Sequence, residues 1–450
     1  MPSPQNNRPQ SSPAKSLSWK FVLRALQYRN YRLFFSGQSV SLIGTWMTRV
    51  ATSWLVYRLT HSALLLGTVG FAGQIPTFLL GPFAGVWVDR WNRHRTLVVT
   101  QVLSMLQSFA LAGLALAGII TVRDIIWLSV AQGIINAFDM PARQAFVIEM
   151  VENREDLGNA IALNSSMVNA ARLLGPSIAG VIIAAVGEGY CFLIDGFSYL
   201  AVIASLLLMR ITATASTRRP AAVSSELREG WSYAAQSLPI RSLLLLLALV
   251  SLVGMPYTVL MPIFAAQVLH GGAHTLGFLM GASGVGALGG AVFLAARRSV
   301  LGLGRVVPIA ATLFGSGLIA FGFSRMLWLS LLLMLFVGGA MMVQMAATNT
   351  ILQTIVDDDK RGRVMSFYSM AFMGMAPFGS LLAGGLATKI GAPRTVILTG
   401  TICIAAAAWF ATRLTEIRKA IRPIYAGLGI LPELARGIQT ATALQTPPEE

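Results

Sequence analysis

Runs of about twenty apolar residues, each closed by a short polar or basic break, recur from residue 34 to residue 412. About 20 residues cross a bilayer as a helix, whereas barrel strands read as alternating segments of about ten. These runs are continuous, so they predict helices. They fall at 34–57, 63–88, 96–119, 125–149, 158–186 and 190–209, then at 242–269, 274–296, 306–324, 327–356, 364–389 and 395–412. The expected fold is an all-α membrane protein of twelve transmembrane helices in two six-helix halves. The halves are 34–210 and 241–413, joined by a polar linker, 211–240. Ahead of them, segment 1–33 places Trp19, Phe21, Val22, Leu26 and Tyr28 among basic residues, which predicts a helix lying in the interface. A polar, mildly amphipathic tail, 414–450, ends the chain.

Composition agrees. The 450 residues are 55% hydrophobic and 12% charged, with mean hydropathy +0.67, about half the charge of a soluble chain. A formal charge of +16 would suggest nucleic acid in a soluble protein, but here the basic residues sit in the breaks, where they set topology. Of the 34 lysines and arginines, Arg49, Arg143 and Arg172 fall within spans. Arg58, Arg123, Arg325, Lys389 and Arg394 fall on one side, and all others on the side of both termini. Both termini and the linker are therefore expected in the cytoplasm, with the protein in the cell membrane and no nucleic-acid partner. The first thirty residues lack the apolar core of a cleavable signal peptide. Cys191 and Cys403 lie in apolar runs without disulfide or metal spacing, and neither cofactor nor metal is expected.

The halves repeat. An offset of 205 aligns Gly81 with Gly286, Gly85 with Gly290, Arg93 with Arg298, Gly133 with Gly338 and Gly180 with Gly385. Duplicated halves are a transporter architecture with the binding site between them. Two tempting matches fail on context. "GVGALG" at Gly284 lies in a span with no preceding strand, and the sequon at Asn164 lies in the fifth span. No Walker-type loop occurs, so ATP drive within this chain is not expected.

The stretch "GVWVDRWNRHR", Gly85 to Arg95, carries an acid and three arginines at the second–third break. It resembles the Gly-x-x-x-Asp-Arg-x-x-Arg loop of the major facilitator superfamily, with Gly85, Asp89, Arg90 and Arg93 in place. The resemblance covers all twelve spans and implies an interdomain gate at these four residues. In physical terms, Gly85 would permit close helix contact, and Asp89 would cap a helix N-terminus of the other half. In the second half Leu294 stands where the acid would be. "ARLLGPSIAG" resembles the fifth-span pattern of proton-coupled exporters in the superfamily, with Gly175, Pro176 and Gly180 matching and Ala171 and Ala179 replacing glycines. In the fourth span Ser129 replaces the arginine that many relatives carry before Gln132 and Gly133. "DMPARQAFVIEMV" and the first span are similar to a subgroup that includes the enterobactin exporter and macrolide or multidrug efflux proteins.

A charge at mid-bilayer costs about 2.5–3.5 kcal/mol on insertion scales, so each buried charge needs a reason. Asp139 and Arg143 stand i, i+4 on one helix face around Pro141, which removes the N–H that would bond Ala137. With Arg49 and Arg172 at comparable depth, Asp139 could exchange partners as a coupling acid, form a fixed ion pair, or bind substrate. Asp195, near one end of the sixth span, is a second protonation candidate. Spans of the second half hold no mid-membrane charge but many methionines, suited to varied lipophilic ligands. Tyr257, Met341, Gln344, Asn349 and Tyr368 are the candidate cavity residues there.

The expected function is a proton-coupled secondary transporter, not an enzyme, exporting a small amphipathic drug-like or siderophore-like molecule by alternating access. Its partners would be that substrate, protons and the lipid bilayer, and it is expected to act as a monomer. The alternatives are uptake or lipid flipping on the same fold, or a non-transporting membrane sensor or scaffold.

Overall fold

In a computed structural model, residues 23–210, 231–297, 299–428 and 430 are described. They contain no strand. The twelve spans are α1 (Arg29–Thr60), α2 (Ala63–Arg90), α3 (Arg93–Leu116), α4 (Val122–Glu149), α5 (Leu157–Val186), α6 (Glu188–Leu207), α7 (Leu238–Val268), α8 (Ala273–Ala295), α9 (Leu303–Phe323), α10 (Leu327–Ile355), α11 (Asp358–Ile390) and α12 (Ala392–Thr412). Eleven of these meet the length and hydropathy of a membrane span; α1 falls short because a polar stripe, described below, runs along it. A further helix, α13 (Leu414–Gly427), follows α12.

Local chemistry sets the element ends. The hydroxyl of Ser62 accepts from Leu65 N at the start of α2, and Asn92 does the same for Arg95 N at α3. Thr121 and Asp124 form a reciprocal capping box at α4. Hairpin links turn on left-handed or glycine-only backbone. His61 (φ 52°) and His270 (φ 51°) close the first span of each half, while Gly187 (φ 94°) and Gly391 (φ 85°) close the fifth. α4 runs unbroken through Pro141. In contrast, α7 and α11 widen into π-helical turns at Val250–Gly254, Phe264–Val268 and Met370–Gly374. Each lies within a few residues of Pro256, Pro262 or Pro377, whose missing N–H and ring disrupt the regular ladder.

Within each half the spans pack on small residues. α1 meets α6 where Gly37 faces Ser205 and Gly44 faces Asp195. A Cβ on Gly133 of α4 would lie 2.6 Å from Gly73 O of α2. We call proximal the face that holds residues 23–28 and α13, and distal the opposite one. The halves approach most tightly toward the distal face, at two glycine crossings. α5 crosses α8 at Gly180 and Gly277, where a Cβ on Gly180 would sit 2.9 Å from Gly277 Cα. α2 crosses α11 at Gly67 and Gly384, where a Cβ on Gly384 would sit 2.6 Å from Ala63 O.

These crossings correct the repeat register. Gly67 pairs structurally with Gly277 and Gly73 with Ser283, an offset of 210, whereas Gly133 and Gly338 keep 205 and Gly180 matches Gly384 at 204. Gly385 has nothing within 4 Å, so the uniform offset misassigned it. The matches of Gly81 with Gly286 and Gly85 with Gly290 likewise fail: Gly286 and Gly290 press on α10, but Gly81 and Gly85 meet nothing within 4 Å. Arg298 lies outside the described residues.

The N-terminal segment also differs from expectation. Residues Arg24–Gln27 form a 3-10 turn, and Trp19, Phe21 and Val22 lie outside the described residues. Arg24, Gln27 and Tyr28 converge on the buried carboxylate of Asp156, with Tyr28 Oη donating at 2.7 Å. Hydrogen bonding to Asp156 raises the Tyr28 pKa. At the other end α13 is strongly amphipathic, burying Ile417 and Ile421 against the bundle while Arg418, Lys419 and Arg422 are exposed.

Candidate functional site

Between the halves lies a cavity of about 410 Å³. α1 supplies one wall with Thr45, Trp46, Thr48, Arg49, Thr52 and Ser53. Their 3- and 4-residue spacing places them along one helix face, and this stripe is what lowers the hydropathy of α1. α4 adds Ser129, Gln132 and Asn136, on the same spacing. Gln132 donates to Ser104 Oγ and to Asn136 Oδ1, both at 3.2 Å. From the second half come Met255, Met261, Tyr257 and Met280 with small and apolar neighbours. Tyr257 is hydrogen-bonded to Ser283 at 2.9 Å.

Among the described residues, three charged ones line the cavity: Arg49, Arg172 and Asp195. Both arginines flank one indole. The Arg49 guanidinium carbon lies 4.7 Å and that of Arg172 5.8 Å from the Trp46 ring centroid. Neither arginine has a carboxylate in ion-pair range, nor a hydrogen bond to protein, among the described residues. Arg49 is exposed to the cavity and Arg172 partly so. Asp195 is 1% exposed. Its Oδ2 accepts from Thr48 and Ser108, each at 2.8 Å, while Oδ1 is buried and meets no donor. Gly44 makes room for it, since a Cβ there would stand 2.6 Å from Oδ1.

Asp139 lies elsewhere, between α3 and α4, outside the cavity lining. Its carboxylate holds the Arg143 guanidinium and accepts from Thr100 at 2.9 Å and Gln101 at 2.7 Å. The expected exchange of Asp139 with Arg49 or Arg172 finds no support in this arrangement, because those arginines gather at Trp46 instead.

At the proposed gate, Gly85 makes no close helix contact. Arg90 is exposed, and Arg93 pairs with Glu149 at 2.5 Å. The side chain of Asp89 lies outside the described residues. Trp87, Phe138 and Trp91 stack at 6.0 and 5.9 Å beside this turn. Gly175 and Gly180 face different neighbours. A Cβ on Gly175 would strike Trp46 of α1 in the same half at 2.5 Å, whereas Gly180 crosses to α8. Pro176 lines the cavity.

Of the second-half candidates, Tyr257 reaches the cavity. Met341, Gln344, Asn349 and Tyr368 do not line it. Met341 and Gln344 are buried, Tyr368 donates to Met345 O at 3.2 Å, and Asn349 accepts from Gln353 at 2.6 Å. The residues missed by sequence reasoning are Trp46 and the polar stripes of α1 and α4. Their helical spacing within otherwise apolar runs was the available signal.

A family profile described as "Transmembrane secretion effector" matches residues 22–425. The Staphyloferrin A transporter of Staphylococcus aureus (strain NCTC 8325 / PS 47) is 28% identical over 396 residues, spanning 86% of this chain and 97% of that protein. The Multidrug efflux pump Tap of Mycolicibacterium fortuitum is 26% identical over 390 residues, spanning 84% and 95%. Macrolide efflux protein A of Streptococcus pyogenes is 25% identical over 414 residues, spanning 87% and 98%. Among solved structures, a POT family transporter in complex with a thioalcohol-conjugated peptide superposes with TM-score 0.70 at 12% identity, covering 86% of this chain and 96% of that one. A bacterial homolog of the human lysosomal transporter Spinster gives 0.66 at 14% identity, covering 90% and 99%.

Proposed function

Because the chain belongs to the transmembrane secretion effector family, of the major facilitator type, we propose that it exports a small amphipathic molecule by alternating access at the expense of the proton gradient. The observation that carries this reading is the cavity walled by both halves beneath two glycine crossings. Separating α5 from α8 and α2 from α11 would open that cavity to the distal side. The excess of lysine and arginine on the proximal face supports placing it in the cytoplasm of a cell-membrane protein, which would put the two glycine crossings toward the outside. Names of the relatives favour efflux of drugs or of a siderophore-type cargo.

For the proton we favour Asp195 over Asp139. A proton on Asp139 would strand the charge of Arg143, which is costly in a buried pair. Asp195 faces only neutral hydroxyl donors, which can reorient, and its second oxygen is unpartnered beside the cavity.

The test is proton flux from proteoliposomes holding wild type, Asp195→Asn or Asp139→Asn, with a panel of lipophilic drugs and siderophores. Compound-driven proton movement in the wild type and in Asp139→Asn, but not in Asp195→Asn, supports the reading. Normal coupling in Asp195→Asn rejects that residue as the proton site. Absence of compound-driven proton movement in the wild type rejects proton antiport and favours uptake, lipid flipping or a non-transporting role.

A further inference from the structure

We infer that Arg49, Trp46 and Arg172 form an anion-binding subsite, and that the cargo is an amphipathic organic anion bearing a carboxylate or comparable oxyanion. This rests on the transport reading above, because it names the class of molecule the cavity takes. Two guanidinium groups share one indole, and neither has an acid or an acceptor among the described residues. Two like charges facing one cavity within the membrane span without a counterion are unfavourable unless something else holds them in place and a ligand completes them.

The cation–π contacts supply the first requirement. Trp46 and Arg49 stand i, i+3 on α1, and Gly175 on α5 lets that helix press against Trp46, bringing Arg172 to the same ring. The ring holds both guanidinium groups within cation–π range without consuming their N–H donors. Planar forks fit carboxylates in paired hydrogen bonds, which a compact ammonium does not. Asp195, the third charge in the lining, is already bound by Thr48 and Ser108. Cations therefore outnumber acids in the lining by two to one, and the imbalance falls on the anion side. Across the cavity Met255, Met261 and Met280 offer polarizable apolar surface. A cargo with an oxyanion at one end and an apolar body at the other satisfies both walls.

The experiment compares 6-carboxyfluorescein, an anion, with rhodamine 6G, a cation built on the same xanthene skeleton. Fluorescence anisotropy reads equilibrium binding to the purified full-length protein in detergent. Saturable binding of carboxyfluorescein to the wild type is expected, weakened at least tenfold in Arg49→Gln and in Arg172→Gln. Arg49→Lys keeps the charge without the fork and should restore part of the loss. Rhodamine 6G affinity should be unchanged or increased in the glutamine variants, which also reports that they remain folded. Wild-type binding of rhodamine 6G in preference to carboxyfluorescein, or glutamine variants that bind carboxyfluorescein as the wild type does, would overturn the assignment. Binding is read without transport or a proton gradient. Arginine-dependent binding with no proton-coupled flux would leave the subsite standing and remove the export reading, and the reverse result would do the opposite.

Discussion

Gly384 and Gly385 are neighbours on α11 with opposite surroundings, which makes them a sharp pair of perturbations. A Cβ at 384 would lie 2.6 Å from Ala63 O and 3.0 Å from Gly67 Cα, both backbone atoms that a rotamer change cannot move. A Cβ at 385 meets nothing within 4 Å. Alanine adds about 1 kcal/mol of helix propensity at either position, but that gain is the same in distally closed and distally open states and cancels from their ratio. What remains for Gly384→Ala is overpacking of the closed crossing, typically about 1–3 kcal/mol. That shifts the closed-to-open ratio by roughly 5–150-fold toward open. A reporter is Ser53→Cys, in the cavity lining near the distal end of α1, with buried Cys191 and Cys403 replaced by alanine. Labelling by a membrane-impermeant maleimide from the distal side should accelerate at least fivefold in Gly384→Ala and stay at the parent rate in Gly385→Ala. Equal rates in the two variants would refute both the crossing and the distal opening argued from it.

Other outcomes follow from the same contacts. Arg143→Gln leaves the buried Asp139 without its cation and should lower stability by about 3–5 kcal/mol. Adding Asp139→Asn should restore most of it, and a thermal-unfolding series on the singles and the double checks this. Gly44→Ala pushes a methyl against Asp195 Oδ1 and Ser198 Oγ and should cost about 1–3 kcal/mol in the same assay; an unchanged melting point would contradict the packing. The Tyr28–Asp156 tether has a pH sign. Because the Tyr28 pKa is raised in the folded protein, its contribution is complete below the ordinary tyrosine value of about 10 and is lost as pH rises through the raised one. Protection of residues 24–28 from limited proteolysis should therefore be constant across neutral pH and fall only in strong alkali.

How much was legible varied with the kind of signal. Continuous apolar runs marked twelve spans, because the bilayer demands length and hydropathy directly. The polar stripe of α1 was equally readable as a helical face, yet Arg49 was weighed as a partner for Asp139 because depth along a helix says nothing about azimuth. Only packing reveals that Arg49 and Arg172 turn to Trp46 while Asp139 turns to Thr100 and Gln101. α10 shows the opposite failure. Its polar residues, such as Gln344, Asn349 and Thr354, are spread around the helix rather than along one face, so Met341 and Gln344 could not be recognised as buried rather than cavity-facing. The repeat was detectable but its register drifted by several residues between span pairs, since loops absorb insertions that packed glycine crossings do not.

The unequal walls of the cavity bear on how its spectrum of cargoes can change over generations. In the proposed subsite, charge selection would reside in Arg49 and Arg172 on the first half, whereas the facing surface of the second half carries no charge and presents Met255, Met261 and Met280 beside Tyr257, Thr258, Ser283 and Ser380 among the described residues. Substitutions among Met255, Met261 and Met280 alter the shape and size of the apolar half of a cargo while leaving the charged wall and Asp195 intact. Under the proposed export reading, acceptance of new compounds would then change by single steps on one half, with Asp195 and the arginine pair unaltered on the other.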